Sequence, residues 1–212
     1  MAFEELREAM VAQQIKARGV SDTRVLAAMR AVPRHEFVPD INPRDAYGDF
    51  PLAIGHGQTI SQPYIVAYMC EAAGLKPESR ALEIGTGCGY NAAVMSLLAK
   101  HVYTADIVPE LAARAERTLQ QLGYLNISIR TGDGCTGWQD DAPFDAIIVT
   151  AAAPHMPDVL LEQLADGGRL VIPVGRQFMG QELLLVQRNG DDFIQERQMM
   201  VSFVPLRGSK GA

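Results

Sequence analysis

Three stretches in the first third of the chain place apolar residues at helical spacing. The first stretch ends before Gly19, and the second follows Ser21 or Asp22 as its N-cap and ends before a proline. The third follows Ser61 as an N-cap candidate and ends at Gly74. The pattern predicts three helices, and their apolar positions are Leu6, Met10, Val11 and Ile15, then Val25, Leu26 and Met29, then Ile65, Val66 and Met69.

Between the second and third helices, residues 34–60 have prolines and glycines that interrupt every short apolar run. This spacing predicts a loop. Loops of this length in a compact domain are usually functional, so we expect this one to contribute to a binding site.

From Arg80 onward, strand and helix patterns alternate, which predicts βαβ units around a mostly parallel sheet. One predicted helix runs from Tyr90 to about Ala99, and the other begins at Pro109 and ends before Gly123. Two further strand-like runs, 182–187 and 195–204, join around a turn at 189–190 without a helix between them, which predicts an antiparallel hairpin at a sheet edge. The predicted parallel strands are 81–84, 102–105, 127–130, 145–149 and 169–172.

The composition indicates one α/β domain of 212 residues, 48% of them hydrophobic and 21% charged. We expect residues 1–75 to form the helices and a substrate loop, and residues 76–212 to form a cofactor-binding core. A net charge of −6 gives no electrostatic footprint for nucleic acid. Apolar runs fall short of the roughly 20 residues that cross a bilayer, and the acidic start differs from a signal peptide. We therefore expect a cytoplasmic monomer without a nucleic-acid or membrane partner.

The cysteines and histidines are too scattered for a disulfide framework or a metal site. Three cysteines occur without a Cys-x-x-Cys pair, and four histidines occur without a His-x-x-x-His spacing. We expect no bound metal.

A glycine-rich loop, Glu-Ile-Gly-Thr-Gly-Cys-Gly at 83–89, connects a predicted strand to a predicted helix. Glycines at such a turn allow the backbone to approach a nucleotide closely. A dinucleotide fingerprint requires a third glycine at position 90, which is Tyr90, so NAD is disfavoured. The loop instead resembles the first motif of class I S-adenosylmethionine-dependent methyltransferases, with Glu83, Gly85, Thr86 and Gly87 as candidate cofactor-binding residues.

Two more candidate cofactor contacts follow the next two predicted strands. Asp106, with Ile107 beside it, ends the second strand and is placed to accept hydrogen bonds from ribose hydroxyls, although it also suits a helix N-cap. Asp133 and Gly134 follow the third strand, where Asp133 is a candidate acceptor for an adenine amino group and the alternative is a plain turn. Because carboxyl ends of parallel strands share one sheet edge, the three features predict one cofactor site.

The remaining motifs closely resemble the protein-L-isoaspartate O-methyltransferase family over essentially the whole chain. They are Val-Pro-Arg-His-Glu-Phe-Val at 32–38, Gly-His-Gly-Gln-Thr-Ile-Ser-Gln-Pro at 55–63, and Phe-Val-Pro-Leu at 203–206. The order of the glycine loop, the Gly-Asp-Gly turn and the later strands also matches the family. Three positions depart from the family's usual Ser, Glu and Gln, and these are Cys88, Asp106 and Asn91.

The resemblance implies a Rossmann-like fold and methyl transfer from S-adenosylmethionine to the free carboxyl of L-isoaspartyl residues in damaged proteins and peptides. The ester then collapses to a succinimide, so the implied role is repair. The resemblance assigns Ser61 to the active site and places Thr59, Ile60 and Ser61 over the cofactor and the substrate carboxylate. That carboxylate is already ionised at neutral pH, so the displacement needs no general base and depends on positioning.

Other functions remain open at this point. The same scaffold serves methyltransferases that act on another carboxylate or on a small molecule, because fold does not determine substrate. A cofactor-binding homologue without turnover is a further alternative. Methylation of nucleic-acid bases is disfavoured, since the chain has no Asn/Asp-Pro-Pro-aromatic tetrad and no basic stripe. For the family's reaction, we expect an extended peptide to bind between the 58–63 block and the region around Val174 and Gly175.

Overall fold

The computed structural model describes residues 3–38, 41–176 and 179–208. Its centre is a seven-stranded sheet. The strands of the sheet are β3 Arg80–Ile84, β4 His101–Asp106, β5 Ile127–Thr131, β6 Phe144–Val149, β7 Leu164–Arg176, β8 Gly180–Asn189 and β9 Asp192–Val201. They lie in the order β5-β4-β3-β6-β7-β8-β9; the first five in this order pair in parallel, whereas β8 pairs antiparallel with both β7 and β9. This architecture confirms the predicted α/β fold with an antiparallel hairpin at one edge.

Helices cover both faces of the sheet. On β6, Ala146 and Ile148 belong to the core that includes the N-terminal helices, whereas Ile147 and Val149 belong to a second core that includes Leu160. Along the described chain the α-helices are α1 Phe3–Ala9, α2 Thr23–Ala31, α3 Pro43–Ala46, α4 Pro63–Ala73, α5 Tyr90–Ser96, α6 Pro109–Gln121 and α7 Asp158–Glu162.

The first two helices agree with the pattern of the sequence. α1 continues as a π-helix and a short 3-10 turn up to Gly19, which adopts φ of 100° as the helix stop. Asp22 is the N-cap of α2, and its carboxylate accepts hydrogen bonds from the backbone of Arg24 and Val25. The choice between Ser21 and Asp22 is therefore settled in favour of Asp22.

The predicted N-cap of α4 is wrong, because the cap is Gln62 and not Ser61. Pro63 occupies the first turn of the helix, and a proline disfavours helical geometry in the residue before it. Gln62 accordingly has φ of −50° and ψ of 138° and makes no side-chain cap hydrogen bond. The Ser61 side chain is thus not engaged in capping.

The predicted loop at 34–60 contains more regular structure than expected. It begins with a 3-10 helix, Arg34–Phe37, includes α3, and ends in a two-stranded hairpin of β1 Leu52–Gly55 and β2 Gln58–Ile60. His56 and Gly57 form the turn with φ of 55° and 71°, the left-handed geometry of a tight hairpin. Residues 59 and 60 therefore lie on a strand rather than in a loop.

The later elements confirm the alternating pattern, and most strands extend by one to a few residues beyond their predicted ends. The exception is β9, which begins three residues before the predicted run 195–204 and ends three residues short of it, at Val201. α5 ends at Ser96, three residues before its predicted end. Among the described helices, none has both the length and the apolar character needed to cross a membrane.

Candidate active site

The glycine loop after β3 is held tightly against the neighbouring strand. The backbone N–H groups of Gly85 and Thr86 both donate to the carbonyl of Ala105, the first over 2.8 Å. Gly85 has φ of 99°, and a Cβ at this position would collide with Thr150 Oγ1. There is therefore no room for a side chain at Gly85, which lines the cavities described below.

Glu83 is fully buried, and both of its carboxylate oxygens are hydrogen-bonded. Asn91 Nδ2 donates to Oε1 over 2.7 Å, and Thr104 Oγ1 donates to Oε2 over 2.5 Å. Burial raises the pKa of Glu83 to about 7, although the hydrogen bonds from Thr104 and Asn91 oppose the rise. Asn91, which departs from the family's usual glutamine, thus still reaches the carboxylate.

Asp106 joins two loops at the end of β4. Its carboxylate accepts from the backbone of Gly87 over 2.7 Å and from that of Val108 over 2.9 Å. Burial raises the pKa of Asp106, and the two backbone hydrogen bonds and the charge of Arg207 oppose that rise. The N-cap of α6 is Val108, so the alternative of Asp106 as the helix cap is wrong.

Asp133 and Gly134 differ in their access to the cavities. The Asp133 carboxylate accepts from the backbone of Cys135 over 2.8 Å and lies against Gly208. Gly134 lines the outer cavity, and a Cβ there would collide with Ile84. Asp133 lies beside this cavity without contributing to its lining.

Two adjoining cavities meet at Gly85, at the carboxyl ends of β3 and β4. The space in the inner cavity is about 400 Å³ and that in the outer cavity about 380 Å³, part of it open to solvent. The inner cavity is lined by Thr59, Ile60, Ser61, Val66, Met69, Glu83, Gly85, Thr86, Gly87, Cys88, Tyr90, Asn91 and Thr150. The outer cavity is lined by Gln58, Ile84, Gly85, Ala105, Asp106, Ile107, Val108, Gly134, Ala151, Pro205, Leu206 and Arg207.

A surface groove of about 1300 Å³ lies on the other side of the 59–61 segment. Thr59 and Ser61 line both this groove and the inner cavity, so one short segment separates the two spaces. The opposite wall is formed by residues 199–204. Val174 and Gly175, where the sequence analysis expects the other side of a peptide site, do not line this groove.

The structure brings together nearly all of the site residues predicted from the sequence. Every predicted cofactor-binding residue except Asp133 lines one of the two cavities. Sequence reasoning missed Thr104, which pairs with Glu83 across the two strands, and Arg207 in the outer cavity. Thr104 lies on a strand that is buried on both faces, and such strands show no alternation of polar and apolar residues that would have singled it out.

Comparison with known proteins establishes the family. A model of the protein-L-isoaspartate(D-aspartate) O-methyltransferase family matches residues 5–211. The chain belongs to this family. A protein-L-isoaspartate O-methyltransferase of Picosynechococcus sp. is 57% identical over 203 residues, which cover 96% of this chain and 90% of the relative. The enzyme of the same description from Gloeobacter violaceus is 53% identical over 201 residues, covering 95% and 98% of the two chains.

Solved structures agree with this assignment. A protein-L-isoaspartate O-methyltransferase structure superposes with a TM-score of 0.87 at 30% identity, covering 99% of this chain and 67% of the other. A protein-L-isoaspartate O-methyltransferase from Plasmodium falciparum, solved with S-adenosyl-L-homocysteine, gives a TM-score of 0.81 at 27% identity, covering 95% and 98%. The expected family, class I methyltransferase fold, S-adenosylmethionine cofactor and isoaspartyl carboxyl methylation are confirmed.

The two cavities fit this cofactor. S-adenosylmethionine is cationic at its sulfonium and amino groups, and each cavity contains one carboxylate, Glu83 or Asp106. The outer cavity adds the apolar side chains of Ile107 and Leu206, which suit a flat base, and glycine backbone lies between the two carboxylates. The residues present therefore match the charge, the sugar and the base of the cofactor.

The buried Glu83 should make the ligand-free protein less stable as pH rises from about 4.5 to about 7. Its pKa is about 7 in the folded state and near 4.5 in the unfolded chain, so only the folded state holds the proton in this window. The free energy of unfolding then falls by up to about 1.4 kcal/mol per pH unit. Urea denaturation of the parent and Glu83→Gln at pH 5 and pH 7.5 checks this, because glutamine removes the titration. A stability difference between the two proteins that is the same at both pH values would contradict the assignment.

Proposed function

We propose that the inner and outer cavities hold S-adenosylmethionine while the surface groove holds an isoaspartyl segment of a damaged protein. The observation that supports this arrangement is that Thr59 and Ser61 line both the inner cavity and the groove. In this arrangement the methyl donor lies on one side of the segment and the acceptor on the other, and the two reacting groups come together next to Ser61. The repair function follows from the family's reaction and from this arrangement.

We assign the cofactor contacts by position within the two cavities. In the inner cavity, Glu83 faces the amino-acid part of the cofactor, and the backbone of residues 85–87 lies along it. In the outer cavity, Asp106 accepts from the ribose hydroxyls, and Ile107 and Gly134 flank the base. Asp133, next to Gly134, is assigned to the adenine amino group. The bound cofactor supplies an electrophilic methyl group on its sulfonium.

The protein's part in the reaction is to hold an ionised carboxylate in line with that methyl group. Ser61 donates its hydroxyl hydrogen bond to one carboxylate oxygen, which fixes the direction of attack. No side chain needs to remove a proton, because the isoaspartyl carboxylate is charged at neutral pH. Correct placement of two reacting groups accounts for a large part of the barrier in such displacements.

The groove walls suit a polypeptide of varied sequence. Met199, Met200 and Phe203 give one wall an apolar character, and flexible methionines adapt to different side chains. Arg18 also lines the groove, and its guanidinium lies 3.6 Å from the centre of the Tyr64 ring and pairs with Asp49 over 3.1 Å. We propose that the chain works as a cytoplasmic monomer on proteins and peptides, without a nucleic-acid or membrane partner.

The test is methyl transfer from labelled S-adenosylmethionine to isoaspartyl peptides of several sequences, each beside its normal aspartyl twin. An isoaspartyl linkage moves the free carboxylate to the α-carbon at unchanged net charge, so only geometry distinguishes the twins. We expect labelling of the isoaspartyl members alone. Equal labelling of both twins, or labelling only of a free small carboxylic acid, would favour a methyltransferase with another substrate.

A further inference from the structure

Arg34 is a buried cation that the reaction described above does not use. It begins the 3-10 helix Arg34–Phe37 and is 0% exposed. Its guanidinium lies over the ring of Tyr90, with Cζ 4.9 Å from the ring centre. No carboxylate within the described ranges forms an ion pair with it, and burial lowers its pKa. A buried, unpaired charge is expensive, and an apolar side chain would fill the same space at lower cost.

The hydrogen bonds of Arg34 connect two separate segments. Its Nε donates to the carbonyl of Ala46 over 2.7 Å, and its Nη2 donates to the carbonyl of Ser61 over 2.8 Å. Hydrogen bonds from a charged donor are stronger than neutral ones, and burial excludes competing water. Arg34 therefore fixes the Ser61 backbone to α3.

Ser61 depends on such an anchor because it lies between regular elements. β2 ends at Ile60 and α4 begins at Pro63, so the Ser61 carbonyl belongs to neither the hairpin nor the helix ladder. Tyr90, which supports the guanidinium, lines the inner cavity together with Ser61. One buried side chain thus links two walls of that cavity.

We propose that Arg34 is a positioning residue that holds Ser61 in the orientation required for methyl transfer. The proposal rests on the proposed role of Ser61. It gives a function to the Val-Pro-Arg-His-Glu-Phe-Val segment at 32–38, whose arginine would otherwise destabilise the core. Arg34 acts through the Ser61 backbone and touches neither the substrate nor the cofactor.

A double-mutant cycle tests the proposal on the full-length protein. Arg34→Lys keeps the charge but loses the planar pair of donors, and we expect it to lower kcat/KM for an isoaspartyl peptide about ten- to a hundredfold. In a Ser61→Ala background the same change should cost less than about threefold, since both variants disturb one function. The affinity for S-adenosylhomocysteine should stay near that of the parent. Arg34→Gln serves as a second variant if the lysine variant does not fold.

Arg188→Lys is the matched control. Arg188 also donates to two backbone carbonyls, those of Leu164 and Gly190, and stacks over the ring of Phe193. It lies near the β8–β9 turn, at the end of the hairpin away from residues 199–201. We expect this control to keep the parent kcat/KM in both backgrounds. The proposal would be overturned if Arg34→Lys lowered kcat/KM by the same factor in the parent and Ser61→Ala backgrounds. A similar loss of kcat/KM in Arg188→Lys would also overturn it.

Hydrogen exchange separates this proposal from the proposed function. Arg34→Lys should accelerate backbone exchange across residues 59–64 relative to the parent and to Arg188→Lys, whether or not the protein turns over substrate. Unchanged exchange in this segment would overturn the role of Arg34. A parent protein without isoaspartyl activity but with the exchange effect would instead reject the proposed function alone.

Discussion

Ser61→Ala should lower turnover of an isoaspartyl peptide roughly a hundredfold, the scale of losing one hydrogen-bond donor that acts on a reacting oxygen. The hydroxyl lies where the inner cavity meets the groove, so its loss leaves the substrate carboxylate without its fixed orientation. The cofactor has many other contacts, and its affinity should change little. Since Gln62 caps α4, the melting temperature should also stay close to that of the parent. Steady-state kinetics, calorimetry with S-adenosylhomocysteine and thermal unfolding on one preparation measure all three.

Ser21→Ala is the matched control for this substitution. Ser21 lies near the other end of α4, where its backbone and hydroxyl contact Glu71. We expect turnover close to that of the parent. Retained turnover in Ser61→Ala would remove Ser61 from the catalytic machinery, and a turnover loss matched by a fall in stability would assign it a structural role.

Asp106→Ala should weaken S-adenosylhomocysteine binding by about a hundredfold or more. The substitution removes the acceptor for the ribose hydroxyls and leaves the backbone N–H groups of Gly87 and Val108 without their partner. Each buried donor without an acceptor costs about 1 to 3 kcal/mol, and the loop at Gly87 would shift to recover a hydrogen bond. Calorimetric titration of the folded variant measures the loss.

Asp106→Glu supplies the comparison. It keeps the charge and both acceptors on a side chain longer by one methylene. We expect it to bind the cofactor within about threefold of the parent, because the glutamate still offers a charged acceptor to the ribose hydroxyls. Binding by Asp106→Ala at parent affinity would show that Asp106 has only the loop-joining role.

The cofactor half of the site follows from the sequence because local rules place it. Hydrophobic runs define the strands, parallel strands share a carboxyl edge, and Glu83, Asp106 and Gly134 stand where those strands end. The glycine spacing adds the sharp turn, and Tyr90 in place of a third glycine correctly disfavoured NAD. Each of these signals lies within a few residues of the end of a strand, so the strand pattern is enough to locate it.

The substrate half depends on contacts that no short pattern contains. The β1–β2 hairpin requires the left-handed turn at His56 and Gly57, which in sequence resembles any proline- and glycine-rich loop. Serine is a common N-cap residue, so Ser61 was the expected cap, but with Pro63 at the start of the helix the cap is Gln62. The buried guanidinium of Arg34 donates to the carbonyls of Ala46 and Ser61, which are 12 and 27 residues away in the sequence. Likewise, the 199–204 wall faces Ser61 only after the sheet has formed.

A crystal structure of the protein with S-adenosylhomocysteine and an isoaspartyl peptide would show directly whether Ser61 holds the substrate carboxylate. We expect the homocysteine part to occupy the inner cavity and the peptide to lie in the groove against residues 199–204. We also expect the isoaspartyl carboxylate to lie within hydrogen-bonding distance of Ser61 Oγ and to point at the cofactor sulfur. A peptide bound elsewhere, or a carboxylate held away from Ser61, would contradict this expectation.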